Sequence, residues 1–364
     1  MKLRLDTSKT YAIALEGGGA KGAYEVGVWR ALDEAGVRFD AVAGTSVGAL
    51  NGAMMVMGEL EQALRLWENI RFSQVFDADD VQLKKLYDHK LSEVDFRTLF
   101  KDAMEAIHEG GLDIEPLRRL IAEWVDEEKI RSSPKKLFLV TYSLTDKREL
   151  DIDADELEEG KLRDMLLASA YVPLFQRKKL DGKDYVDGSV HNIVPISSLL
   201  ERGYRDIIVI RIFGVGFEKR TRIPEDANII TVAPRERLGG VLQFDAAQSR
   251  RLLQLGYFDG LRMLYGLAGE KYYIDRQWSE TEAYFALQEL CRLFIKEETP
   301  SLREMNEMIL PKLAKHLKVK DGGYYDLLTA LLERLAERQG ISPFRVRTEK
   351  MLLTEIARGR QSRP

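Results

Sequence analysis

The chain has 364 residues, 45% of them hydrophobic and 31% charged, enough to bury one large core or one core with a smaller appended unit. Its formal net charge of −4 gives no long-range attraction for nucleic acid or for an anionic membrane surface, unless a local basic patch supplies one, and no nucleic-acid partner is expected. The single cysteine, Cys291, excludes an intrachain disulfide framework and a cysteine-based zinc site and fits a reducing compartment.

Residues 11–15, Tyr-Ala-Ile-Ala-Leu, form a short apolar run closed by glycines, which predicts a strand buried on both faces. The ten residues ahead of it carry charges with no apolar stretch behind them. They do not read as a secretory signal, and a cytoplasmic location is the default expectation. In 20–35, Tyr24, Val28, Ala31 and Leu32 share one stripe and Gly36 follows as a stop, which predicts a helix. A second strand at 41–43 runs into Gly-Thr-Ser-Val-Gly, and another helix continues through 49–57. The uncharged segment 41–58 is about long enough to span a bilayer, but its four glycines, serine, threonine and asparagine predict a strand, a tight turn and a small-residue helix instead. Strand, glycine turn and helix, twice over, is the pattern of a parallel sheet with crossover helices.

A mostly helical, charged stretch is expected over 59–130, followed by β-branched strands at 137–143, 207–213 and 229–233. From about 235 the text reads as helical throughout. Three-to-four-residue apolar spacing over 280–296, 301–317 and 324–339 predicts a helical appendage in which Cys291 faces the core. No internal repeat has a fixed period. The acidic stretch 151–159 begins like a calcium loop, but Glu156 stands where glycine is needed and Leu162 where a bidentate glutamate is needed. It is expected to be a solvated acidic turn, and no metal is expected.

Gly44-Thr-Ser46-Val-Gly48 matches the Gly-x-Ser-x-Gly elbow, in which a serine on a strained strand-to-helix turn projects its hydroxyl from the sheet edge, facing a helix N-terminus. Residues 17–22, Gly-Gly-Gly-Ala-Lys-Gly, satisfy Gly-x-Gly-x-x-Gly between a strand and a helix, so a dinucleotide site enters consideration. That site wants an acid at the end of the second strand, whereas Asp40 precedes the strand. The same bare amides would equally serve a developing oxyanion. For a base to Ser46 there are four histidines, His89, His108, His191 and His316, of which His191 is the least dismissible. The alternative is Asp187 in Tyr-Val-Asp-Gly, a carboxylate at a glycine turn, which otherwise merely orders that turn. A nucleotide-binding module and a catalytically silent scaffold remain as competing classes.

Four stretches in order, Glu-Gly-Gly-Gly-Ala-Lys-Gly at 16–22, Gly-Thr-Ser-Val-Gly at 44–48, Ala-Ser-Ala-Tyr-Val-Pro-Leu-Phe at 168–175 and Asp-Gly-Lys-Asp-Tyr-Val-Asp-Gly-Ser-Val-His-Asn-Ile-Val-Pro at 181–195, resemble the patatin-like phospholipase family. The resemblance runs from about 10 to 215, and 250–260 looks like the end of the same domain. It implies a three-layer α/β/α fold with a mostly parallel central sheet, a hydrolase domain over 10–275 and a helical C-terminal extension over 276–364. It implies a Ser46–Asp187 dyad without histidine or metal or other cofactor, acting on a lipid ester through an acyl-serine. Gly18, Gly19 and Ala20 fall on the loop supplying oxyanion amides, and Gly17, Lys21, Gly22, Gly44, Gly48 and Gly188 on supporting motif positions. Ser189 departs from the glycine or alanine usual after Asp-Gly. Helices in 59–130 and at the C-terminus are where an acyl channel or lid would form, if they are more than core faces. Transient peripheral membrane contact is compatible with the weakly basic tail (Arg345, Arg347, Lys350, Arg358, Arg360), and the motifs do not set the oligomeric state.

Overall fold

The computed structural model describes residues 1–77, 111–294, 300–320 and 322–361. His89, His108 and much of the anticipated helical stretch 59–130 lie outside the described residues. The chain opens with β1 (Thr10–Leu15), a tight turn at Gly19–Gly22, α1 (Ala23–Glu34), β2 (Arg38–Thr45), α2 (Val47–Met57) and α3 (Leu60–Asn69). After α4 (Glu115–Trp124) and α5 (Glu127–Ser132) come β3 (Lys136–Ser143), β4 (Arg148–Asp153), α6 (Leu162–Ser169), β5 (Tyr185–Asp187), α7 (Ile196–Glu201), β6 (Asp206–Ile210), β7 (Asn228–Val232) and α8 (Ala246–Tyr265).

The strands form one sheet in the order β4-β3-β2-β1-β6-β7, with β5 also on β3. The pairings β1–β2, β1–β6, β2–β3 and β6–β7 are parallel, while β4 and β5 run antiparallel to β3. Side chains alternate across the sheet, as a period of two requires. On one face Ala12, Ala14, Ala41, Ala43, Ile207 and Val209 pack with Leu199 and Leu200 of α7. On the other, Leu15, Val42 and Leu137 meet α2 at Gly52. Small strand residues let helices approach from both sides, and the result is the three-layer α/β/α arrangement with a mostly parallel sheet.

Two departures from the sequence reading have local causes. The strand expected over 207–213 ends at Ile210, because the amides of Ile212 and Phe213 turn away to donate to the Glu16 carboxylate at 2.7 and 3.0 Å. The acidic stretch 151–159 is not a solvated turn at its start. Asp151 lies within β4 and accepts from the Ser198 hydroxyl at 2.7 Å and from Arg202 at 2.8 Å.

The residues divide into two compact units, Asp6–Gly260 and a second made of Met1–Leu5 with Leu261–Pro364. The boundary expected at 275/276 falls inside the second. That unit is not wholly helical, since β8 (Tyr273–Ile274) pairs in parallel with a distant two-residue strand, Val346–Arg347. Its α9 (Glu280–Phe294), α10 (Leu310–Leu317) and α11 (Tyr324–Arg338), with α12 (Glu349–Gln361) after the second strand, close a core containing Leu287, Cys291, Leu328, Leu332 and Ile356. Cys291 is buried there as its spacing predicts, and burial pushes its thiol pKa up. The helix expected over 301–317 is interrupted by a widened turn at Met305–Ile309. Pro311 follows at the start of α10, where it lacks the N–H that would bond the Glu307 carbonyl and its ring crowds that oxygen. No described helix is long and apolar enough to cross a membrane.

Candidate active site

The site follows from strand register. One edge of β3 is taken by β4 from Phe138 to Ser143. Its other edge is shared: β2 pairs with Lys136–Val140, ending at Thr45 opposite Val140, and β5 takes the next positions, beginning with Asp187 opposite Thr141. The ends of β2 and β5 therefore meet head to head, and the residue after Thr45 is Ser46. Its hydroxyl donates to Asp187 Oδ2 at 2.5 Å, and both residues are buried.

The turn that presents Ser46 is strained. Ser46 has φ 56° and ψ −125°, a left-handed conformation that disfavours any residue with a Cβ. Its neighbours must be glycine because backbone passes close on either side. A Cβ at Gly44 would lie 2.2 Å from the Gly48 carbonyl oxygen, and one at Gly48 would lie 2.6 Å from that of Leu15. Helix α2 starts immediately after, so the positive end of its dipole faces Ser46. The Ser46 amide donates to Ser169 Oγ at 2.9 Å, and the Ser169 hydroxyl donates on to the Val140 carbonyl at 2.6 Å. Ser169 thus ties the elbow to β3 at the step where β2 gives way to β5. The sequence reading assigned it no role, since its partners are distant and only its Ala-Ser-Ala setting hints at a close-packed position.

The glycine turn after β1 lies against the elbow. Glu16, buried at its base, accepts from Arg211 Nε at 2.9 Å and from the amides of Ile212, Phe213 and Gly214 at 2.7, 3.0 and 3.2 Å, anchoring the segment that flanks the turn. The Gly17 amide donates to the Ile193 carbonyl at 3.0 Å and that of Ala20 to the Val241 carbonyl at 2.8 Å. Of the three amides offered for an oxyanion, Ala20 is therefore committed elsewhere. The amides of Gly18 and Gly19 have no protein acceptor among the described residues, and both glycines line the cavity beside Ser46 and Asp187. Lys21 is not a solvated lysine: its ammonium donates to the Phe213 carbonyl, and burial lowers its pKa, opposed by nearby Glu16. The Gly22 carbonyl accepts from Asn51 Nδ2 at 3.0 Å.

Burial raises the pKa of Asp187, opposed by the bonds from Ser46 and Ser189 that favour its charged form. The Ser189 amide reaches Oδ1 at 2.8 Å. Gly188 lets the turn lie against β3, where a Cβ would sit 2.3 Å from the Val140 carbonyl oxygen, and Gly17 leaves room for Ser189, whose Oγ lies 2.5 Å from where a Gly17 Cβ would stand. His191 is directed at Glu149 and stacks on Tyr142, so its partners do not include Ser46. His316 belongs to α10 in the other compact unit. Beneath the glycine turn, buried Glu25 accepts from Asn51 Nδ2 at 2.8 Å while Trp67 Nε1 donates to Asn51 Oδ1 at 3.0 Å. Burial pushes the Glu25 carboxyl well above the ordinary range, with the Asn51 bond opposing.

Two apolar cavities meet at Gly19 and Ser46. One runs between helices and is lined by Leu50 and Met54 of α2, Trp67 of α3, Leu117 and Ile121 of α4, and Phe175. The other holds Asp187 and Ser189 with Pro173, Val190 and Val215. A dinucleotide finds little to bind. Asp40 sits near the start of β2, roughly 16 Å along the strand from its end at the glycine turn, and Lys21 is engaged with Phe213.

The family model for patatin-like phospholipases matches residues 13–200, more than half of the chain. The chain belongs to the patatin-like phospholipase family. Over 51 residues this patatin-like chain is 51% identical to patatin-like phospholipase domain-containing protein 6 of Mus musculus, a match covering 14% of the chain and 4% of that protein. Over 46 residues it is 50% identical to lysophospholipase nte1 of Aspergillus terreus, covering 13% of the chain and 3% of that protein. These matches therefore span only a few per cent of the relatives' length. Among solved structures, VipD from Legionella pneumophila aligns at 14% identity and a TM-score of 0.43 over 97% of the patatin-like chain and 88% of VipD. ExoU in complex with SpcU from Pseudomonas aeruginosa aligns at 14% identity and a TM-score of 0.34, over 90% of the chain and 68% of the other.

Proposed function

We propose that the protein hydrolyses carboxylic esters of lipids with Ser46 as nucleophile and Asp187 as the base. The observation that carries this reading is the 2.5 Å hydrogen bond from Ser46 Oγ to a buried carboxylate at the junction of two apolar cavities. Asp187 takes the hydroxyl proton as Ser46 Oγ bonds to the ester carbonyl carbon, and the carbonyl electron pair moves onto oxygen. The Gly18 and Gly19 amides receive that oxyanion, and the helix dipole behind Ser46 adds to the field. Collapse expels the leaving alcohol, which takes the proton from Asp187 and leaves an acyl-serine. Water then repeats the sequence, giving its proton to Asp187 and releasing the fatty acid and free Ser46. A carboxylate serves without histidine because burial has already raised its proton affinity toward that of a useful base.

The interhelical cavity takes the acyl chain, since its lining is almost wholly aliphatic and aromatic and it ends at the nucleophile. The cavity holding Asp187 and Ser189 takes the leaving group. In this reading the proposed hydrolase domain, 10–275, keeps its chemistry within the unit Asp6–Gly260, and the extension 276–364 stays outside it. The test is turnover of long-chain esters by Ser46→Ala and Asp187→Ala proteins with folding verified by circular dichroism. Each should fall by at least ~10³, because partners acting as a unit fail together, and a fluorophosphonate probe should label the wild type but not Ser46→Ala. Substantial turnover by a folded Asp187→Ala protein would remove Asp187 from the role, and an unlabelled wild type would leave a silent scaffold.

A further inference from the structure

Four large hydrophobic side chains are exposed among the described residues of the unit Asp6–Gly260: Val190 at 47%, Phe213 at 53%, Phe217 at 62% and Ile223 at 44%. Scattered singly, such residues need no explanation. These are not scattered: three fall within the segment 213–223, and the fourth adjoins Ser189 at the cavity mouth. The segment is not a loose loop either. Glu16 holds the amides of Ile212, Phe213 and Gly214, the Phe217 amide donates to the Ser189 carbonyl at 2.7 Å, and the Ile193 amide donates to the Phe217 carbonyl at 2.8 Å. Its Val215 and Gly216 line the same cavity as Ser46 and Asp187. Two phenylalanines are thus held toward water by backbone fixed to the turn that carries Asp187.

Charge accompanies the apolar residues. Residues 211–223 carry Arg211, Lys219, Arg220 and Arg222 against one acid, Glu218, in a chain whose net charge is negative. Arg211 is occupied by Glu16 and Glu218, and Lys219 by Glu149. Arg220 and Arg222 have no ion pair or hydrogen bond among the described residues. Exposed aromatic rings beside unpaired guanidinium groups suit an interface where rings sink to the headgroup level while cations meet lipid phosphates.

We propose that segment 213–223, with Val190, docks the protein on an anionic phospholipid surface and sets the mouth of the Ser46–Asp187 cavity against the bilayer. This rests on the lipid-hydrolase reading for its purpose, but binding is measurable without turnover. The experiment is flotation of full-length protein with phosphatidylcholine vesicles, with and without phosphatidylserine, using Ser46→Ala so that no lipid is consumed. Binding should need phosphatidylserine. In that background Phe217→Ser with Arg220→Gln and Arg222→Gln should weaken it at least about tenfold, while Arg220→Lys with Arg222→Lys should keep it. The same triple change in the Ser46 protein should leave turnover of a water-soluble short-chain ester unchanged, which shows that the fold survives. Absence of vesicle binding, or equal binding by the triple variant, overturns the docking face even if ester turnover is intact. Vesicle binding by a protein with no ester turnover would instead sink the hydrolase reading and leave the docking face standing.

Discussion

The two glycine turns at the top of the sheet follow the same strand-turn-helix course, and each holds one residue at φ 56°: Gly19 in the first and Ser46 in the second. Glycine adopts this conformation without steric cost, whereas in serine it costs on the order of 1–3 kcal/mol. The first turn needs only backbone, because its contribution is amide groups. The second has to place a hydroxyl, so the strain cannot be relieved by glycine without losing the group it serves. Similar geometry is thus cheap where the chemistry is in the main chain and costly where it is in a side chain.

If the amides of the first turn receive the oxyanion, displacing them should be the largest effect available without touching Ser46 or Asp187. A Cβ at Gly19 would lie 2.1 Å from the Val241 carbonyl oxygen, and backbone cannot yield as a flexible side chain does. Gly19→Ala should therefore shift the turn and lower kcat by about 10²–10³ with KM little changed, as loss of an oxyanion donor does elsewhere. Steady-state kinetics on a folded variant checks this. A kcat near that of the wild type would mean that the two turns do not cooperate.

The pH dependence tests the partner of the second turn. Burial raises the Asp187 pKa above its unfolded value of 3.8, so the folded state holds the proton more tightly than the unfolded one. The sign follows: this group's contribution to stability is fully present below pH 3.8 and is lost as pH rises through the higher folded pKa. Asp187→Asn, which cannot ionise, should gain in Tm relative to the wild type as pH rises through that window, while its ester turnover is abolished. Thermal melts across the acidic range should show the gap widening upward, and the kcat/KM of the wild type should fall as pH drops, its acid limb lying above the usual aspartate range because the base works only when ionised. A gap that narrows with rising pH contradicts a desolvated Asp187.

Much of the frame was legible because periodicity and glycine punctuation are local signals. The strands expected at 11–15 and 137–143 and the helix within 20–35 stand within a residue or a turn of their places. What was not legible depends on partners far along the chain. Strand β5 is three residues long, too short to show a pattern, yet its register on β3 is what brings Asp187 to Ser46. Strand β4 hides in acidic text because Asp151 is neutralised by Arg202, fifty-one positions away. In sequence the Ala20 amide is indistinguishable from its neighbours, because the Val241 carbonyl that holds it lies more than two hundred residues on.

The finest test isolates the strain itself. Ser46→Ala and Ser46→Gly remove the same hydroxyl and leave Asp187 equally deprived of it, so both lose activity and share the cost of the missing hydrogen bond. They differ in the Cβ, which only alanine must hold at φ 56°. In an unstrained position alanine would be the more stable of the two, because glycine gives the unfolded chain more freedom. At Ser46 the order should reverse, with the glycine protein more stable by about 1 kcal/mol, measured as a difference in denaturant midpoint at equal slope. Equal midpoints, or the alanine protein ahead, would mean that the turn relaxes around any side chain and that the contrast between the two turns is one of residue type alone.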